Sequence, residues 1–120
     1  MKPIVIIESP YAGDIERNVA YARACMRDSL LRGEAPYASH LLYTQPGVLR
    51  DEVPQDRELG ITSGFAFRRL ADVIAVYTDL GISSGMRRAI ELETVTYEDG
   101  HTNTRRLQMR SLPDWAEKSA

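Results

Sequence analysis

The sequence predicts a small three-layer α/β domain built on a mostly parallel sheet of about four or five strands. Three observations predict it. Two short runs, residues 4–7 (Ile-Val-Ile-Ile) and 73–76 (Val-Ile-Ala-Val), are apolar without alternation, as strands buried on both faces are. Each run ends in a serine- and glycine-bearing turn. Each turn leads into a segment with helical spacing.

In chain order, residues 3–8 form the first strand, halted by Ser9-Pro10. Residues 9–14 are a turn, and Asp14 caps the helix that follows by accepting from its free N–H groups. Val19, Ala22, Met26 and Leu30 recur at helical spacing. Gly33 ends this helix, with Arg32 in its last turn. Residues 35–40 read as a second, short strand ending at His40, with Pro36 restricting where it pairs. Residues 44–54 are a loop, and Pro54 starts the next helix. Ile61 and Phe65 share a face there, while Gly60 and Gly64 weaken the helix and allow close packing. Residues 72–78 are the clearest strand and 79–85 the second turn. Residues 86–94 are a helix with Met86, Ala89 and Ile90 inward. Glu98-Asp99-Gly100 is a turn. Residues 106–112 are a last, more polar strand, expected at a sheet edge. Alternating strands and helices are the pattern of a Rossmann-like parallel sheet covered on both faces. Residues 1–113 form the domain and 114–120 a C-terminal tail.

A chain of 120 residues is one domain and buries roughly two-thirds of its unfolded surface, enough to fold without a staple. Cys25 is the only cysteine. It allows no disulfide or cysteine-based zinc site and reads as a small buried apolar residue in a reducing compartment. A net charge of -2 disfavours binding a nucleic-acid polymer through a basic surface. The run at residues 4–7 is too short to span a bilayer, and no signal-peptide segment opens the chain. The expected location is cytoplasmic, which is the host cytoplasm for a phage protein. No G-x-S-x-G nucleophile elbow is present, and no P-loop or dinucleotide-binding fingerprint.

In parallel sheets ligands bind beyond the carboxyl ends of the strands, so the two turns are the candidate site. From the first come Ser9, Pro10, Tyr11, Gly13, Asp14 and the following Asn18. Tyr11 can stack on a flat ring while Ser9 and Asn18 supply hydrogen bonds. From the second come Asp79, Gly81, Ser83, Ser84, Gly85, Met86, Arg87 and Arg88. Here glycines let backbone approach a ligand, a serine caps or donates, and two arginines suit a phosphate. The free N–H groups of the following helix also favour an anion. His40, at the expected end of a strand, faces the same site. Tyr43-Thr44-Gln45 and Arg57-Glu58 accompany it. The loop acids Asp51, Glu52 and Asp56 read as solvated, so no metal and no cofactor is assigned. The bland alternatives are a capped turn with an exposed tyrosine and a serine cap with solvated arginines.

The strand–Ser9-Pro10-Tyr11–turn–helix opening resembles the start of the nucleoside 2-deoxyribosyltransferase-like superfamily, and residues 72–76 resemble its later strand. Within it the chain looks closest to a small uncharacterised family of bacteria and phages. The shared residues are Ser9-Pro10-Tyr11, Pro36, His40 through Gln45, Arg57-Glu58-Leu59-Gly60-Ile61 and Tyr77 through Met86. The resemblance implies a nucleoside- or nucleotide-like ligand, a homo-oligomer and cleavage of an N-glycosidic bond. The transferases attack with a glutamate near the start of the helix after the later strand, where this chain has Arg87 or Arg88. An arginine stays protonated and is no nucleophile. The expectation is therefore a binder of a nucleotide-derived molecule that leaves it uncleaved. In a phage this would be an anti-defence protein sequestering a nucleotide immune signal. The alternative is an N-glycosidase or deoxyribosyltransferase with a relocated carboxylate, for which Glu8, Asp79 and Glu91 are candidates and Tyr11 or His40 helpers.

Overall fold

The structure, a computed structural model, describes residues 1–96, 98–100, 102–103 and 106–115. Its elements are β1 (Ile4–Glu8), α1 (Ile15–Leu31), β2 (Ala35–Tyr37), α2 (Ser39–Leu42), α3 (Pro54–Ala66), a 3-10 turn (Phe67–Leu70), β3 (Val73–Tyr77), α4 (Ser84–Glu93), β4 (Val95–Thr96), β5 (Thr102–Asn103) and β6 (Leu107–Arg110). Four strands form one sheet in the order β2-β1-β3-β6, with every pairing parallel. The expected Rossmann-like α/β domain is therefore present, and β6 is an edge strand as its polarity predicts. β4 and β5 form a separate antiparallel pair.

Alternation along the strands decides what faces what. Val5, Ile7, Ala75 and Tyr77 belong to a buried cluster with Tyr21 and Cys25 of α1. Ile6 and Glu8 point to the other face, where they line a cleft. Each fully buried aliphatic side chain contributes roughly 1.5–3 kcal/mol. Trp115, placed in the tail by the sequence reading, packs edge-on against Tyr21 with ring centroids 4.9 Å apart. Residues 116–120 lie outside the described residues.

Three local expectations need correction. The buried face of α1 is Asn18, Tyr21, Ala22, Cys25 and Ser29, whereas Leu30 is 52% exposed. The two polar members of that face are satisfied: Asn18 donates to the Tyr11 and Ala12 carbonyls, and Ser29 donates to Glu34. A stripe drawn through apolar residues alone is therefore rotated. Arg32 lies at the C-cap rather than in the last turn and pairs with Asp28 at 2.9 Å. Gly33 follows at φ +86°, a conformation that favours glycine. Finally, β2 stops at Tyr37, and His40 lies in α2. The chain turns there because the Leu41 N–H donates to the Ala38 carbonyl.

Candidate functional site

A cleft of about 240 Å³ opens at the carboxyl end of β1, walled by α2, α3 and the start of α4. The sequence-predicted residues Ser9, Tyr11, His40, Ser83, Ser84, Gly85, Met86 and Arg88 all line it. Glu8 lies among them, with Ile6 on the same strand face.

The first turn supplies Ser9, which is 4% exposed, and its Oγ lies 3.0 Å from His40 Nε2. Burial pushes the His40 imidazole down to about 4, only partly offset by the charge of Asp51. His40 is thus neutral at ordinary pH. The Tyr11 ring stands 6.0 Å from it at 47°. A flat ring held between two aromatic faces needs them about 7 Å apart, twice an ordinary carbon contact. Tyr11 and His40 therefore form one corner and do not sandwich a ligand.

Glu8 ends β1 with its carboxyl turned into protein. Burial raises it to about 7, against the opposing pull of the Arg68 guanidinium and with the help of Glu93. Arg68 lies 3.4 Å from Glu8 but 2.7 Å from Glu93, and donates to the Ala89 carbonyl as well. Its charge is spent mainly on Glu93, which leaves Glu8 only partly compensated. Both arginines nearest this wall stack on Phe65 of α3, with Arg88 at 5.2 Å and Arg68 at 5.6 Å from the ring centroid.

α4 begins at the cleft. Ser83 caps it by accepting from the Met86 N–H at 3.2 Å. Ser84 and Gly85 in its first turn line the cavity, where their N–H groups are the unpaired donors of a helix start. Tyr37 lines the opposite wall. Burial, and then Tyr43 beside it, push its phenol up. The hydroxyl meets no hydrogen-bond partner among the described residues, at a cost of about 1–3 kcal/mol for a sealed polar group.

Tyr43, Thr44 and Arg57 also line the cleft, whereas the remaining residues predicted from the two turns do not, each for a local reason. Gly13, at φ +100°, shapes the turn. Asp14 is consumed as the α1 cap, accepting from the Arg17 N–H. Asn18 ties the turn down from beneath, and Pro10 is buried beside it. Asp79 accepts from the Tyr21 hydroxyl at 2.5 Å and the Leu112 N–H at 2.9 Å, so it fastens the chain after β6. Gly81, at φ +86°, serves its turn, and a Cβ there would touch nothing within 4 Å. Arg87 points away because consecutive helical residues are about 100° apart. A paired Arg87-Arg88 clamp is thereby replaced by Arg88 alone. Glu91 is exposed and also lies outside the cleft lining.

Sequence reading put Glu8 only among alternative carboxylates and passed over Tyr37 and Phe65 as site residues. The legible signal for Glu8 was an acid closing an otherwise apolar buried run. Among the described residues no group of three or more His, Cys, Asp or Glu is arranged to hold a metal. No described helix is long and apolar enough to cross a membrane.

No curated protein and no solved structure is significantly similar to the chain. A family profile does match, over residues 3–97, and that span contains every residue that lines the cleft. The chain belongs to the family described as a domain of unknown function (DUF7768).

Proposed function

We propose that the cleft binds a nucleotide-derived small molecule at the carboxyl ends of the strands and holds it without breaking its N-glycosidic bond. The observation that carries this reading is the meeting of two chemistries in one small cavity. Arg88 and the first-turn N–H groups of α4 suit an anionic group. Tyr11, Phe65 and Met86 offer flat or soft apolar surface to a ring. The volume of about 240 Å³ lies just below the usual range for ligand pockets, about 300–1,000 Å³. It favours a mononucleotide-sized molecule over a dinucleotide or an ADP-ribose-type one. The resemblance to the nucleoside 2-deoxyribosyltransferase-like superfamily supports the same class. Carried by a phage, such a homo-oligomeric binder would sequester a nucleotide immune signal and leave it intact.

One observation favours the alternative, an N-glycosidase or deoxyribosyltransferase. Glu8 offers a cleft carboxyl held near 7, the range in which a general acid works best.

The test is a panel of nucleosides, mononucleotides and cyclic or ADP-ribose-type derivatives mixed with the purified protein. Thermal shift is recorded first, and each mixture is then chromatographed after denaturation. A ligand that raises the melting temperature and returns intact supports sequestration. Release of free base establishes the alternative. Arg88→Ala should weaken binding of the phosphorylated members at least tenfold, and unchanged affinity would remove Arg88 from the site.

A further inference from the structure

We propose that the cleft reads the oxo–imino edge of a heterocycle, with the His40 Nδ1–H donating to a ring carbonyl and the Glu8 carboxylate accepting from the neighbouring ring N–H. The inference rests on the nucleotide reading and adds to it the class of base.

The donor on this edge is set by the Ser9 hydroxyl. It is buried, and its one hydrogen-bond partner among the described residues is His40 Nε2. Two arrangements satisfy the 3.0 Å contact. In one, Nε2–H donates to Ser9 Oγ, and the serine proton is left with nothing to meet. In the other, the serine proton goes to an unprotonated Nε2, and the ring proton sits on Nδ1, which is not sealed. An unmet buried donor costs about 1–3 kcal/mol, so the second arrangement prevails. Ser9 is then a positioning residue that fixes the tautomer, and the ring's proton sits on Nδ1.

Nδ1 closes no hydrogen bond to the described residues and is not among the sealed, orphaned atoms. His40 lines the cleft, so this nitrogen is a neutral donor available to a ligand. Asp51 lines the same cleft and its charge is felt by the ring, but it makes no hydrogen bond to it.

Glu8 supplies the complement. One carboxyl oxygen faces Arg68 at 3.4 Å, while the other has no partner among the described residues and is not sealed. The side chain is 17% exposed, at the cleft. A donor and an acceptor lining one small cleft match the C=O/N–H edge of hypoxanthine, guanine, uracil or thymine. Adenine and cytosine present the reverse order, an amino donor beside an unprotonated ring nitrogen. Facing it, donor would meet donor and acceptor would meet acceptor, and a site built for one pattern rejects the other strongly.

The experiment uses the full chain and two readouts at pH 8, where Glu8 is ionised. First, ¹⁵N-histidine NMR of the free protein should show His40 with a pyridine-like Nε2 and a pyrrole-like Nδ1. Ser9→Ala should turn this into a tautomer mixture. The opposite tautomer in the parent protein overturns the inference before any ligand is added. Second, titration with inosine, guanosine, uridine, adenosine and cytidine and their monophosphates should show the oxo members binding at least tenfold tighter. Glu8→Gln, whose amide can also donate, should erase most of that preference, as should His40→Phe. His40→Gln, which keeps a donor, should restore part of it and guards against loss of fold in the phenylalanine variant. Equal binding of all members refutes the edge readout while leaving nucleotide binding intact. Binding of none refutes both.

Discussion

Two buried arginines, one on each face of the sheet, meet their carboxylates in opposite ways. Arg110, with 3% of its side chain exposed, grips Glu34 with two nitrogens at 2.8 and 2.7 Å and donates to the Tyr77 hydroxyl and Gln108. Glu34 is held below its usual range, first by the hydrogen bonds from Arg110. Burial pushes the nearby Asp28 up, but hydrogen bonds from Tyr77 and Arg32 outweigh it and hold the group low. Arg68, 10% exposed, divides itself between Glu93, a backbone carbonyl and a distant Glu8. There desolvation wins, and Glu8 rises to about 7. The Arg110 cluster satisfies every group and has nothing left to offer a ligand. The Arg68 side leaves a carboxyl under-compensated, and it does so at the cleft. Fully paired charge builds the fold, and incompletely paired charge marks the site.

The largest expected effect tests the first half of that contrast. Arg110→Ala removes the charge partner of Glu34 and leaves it the Ser29 hydroxyl, and should cost about 3–5 kcal/mol, the usual penalty for half of a buried pair. Urea unfolding measures it. A loss below about 1 kcal/mol would mean the cluster is not what fastens β6.

Second comes pH. Glu8 has a higher pKa folded than unfolded, so the folded state binds more protons between about 4.5 and 7. Its contribution is fully present below 4.5 and is lost as pH rises through 7, by about 3 kcal/mol at most. His40 has a lower pKa folded than unfolded, so its contribution appears as pH rises from about 4 to 6.5. It is of similar size, again about 3 kcal/mol at most. The two nearly cancel in the parent protein. Glu8→Gln should therefore make stability rise with pH across this window, and His40→Gln should make it fall. Parallel curves for parent and variants would show that neither group has a shifted pKa.

A smaller effect is expected from Arg68→Met, which removes the guanidinium shared by Glu8 and Glu93 and leaves Glu93 with Arg106 at 3.6 Å. Because Glu8 can stay protonated, the loss at pH 6 should be near 1–2 kcal/mol and should grow towards pH 8.5. Chemical denaturation at both pH values decides it, and a pH-independent loss would break the contrast with Arg110.

The smallest change in stability should come from Gly64→Ala. The new Cβ would stand 3.1 Å from Ser39 Cβ and Oγ, beside His40, so α2 must shift. The helix gains about 1 kcal/mol from the substitution, which offsets most of that strain. Stability should stay nearly level while ligand affinity drops severalfold. Unchanged affinity would show that α2 does not have to hold its present position.

The sequence by itself determined the strand–helix alternation, the parallel sheet and the end of that sheet where a site lies. It did so because buried parallel strands require unbroken apolar runs, as in residues 4–7 and 73–76, and because helices need caps such as Asp14 and Ser83. It also marked Ser9, Tyr11, His40 and Arg88 as residues to watch, since they stand in or beside turns. Tertiary structure alone decided which of them meet. Ser9 and His40 are 31 positions apart and touch only because β2 lies beside β1 and α2 turns back. Asp79 looked like a ligand for the site until Tyr21 and the chain after β6 were seen to claim it. The face of α1 was misread because Asn18 and Ser29 are buried with their hydrogen bonds already made, and pairing of that kind is invisible to hydropathy. Glu8 gained its raised pKa from the absence of sufficient compensating charge within a fold that buries it. No run of neighbouring residues encodes that balance.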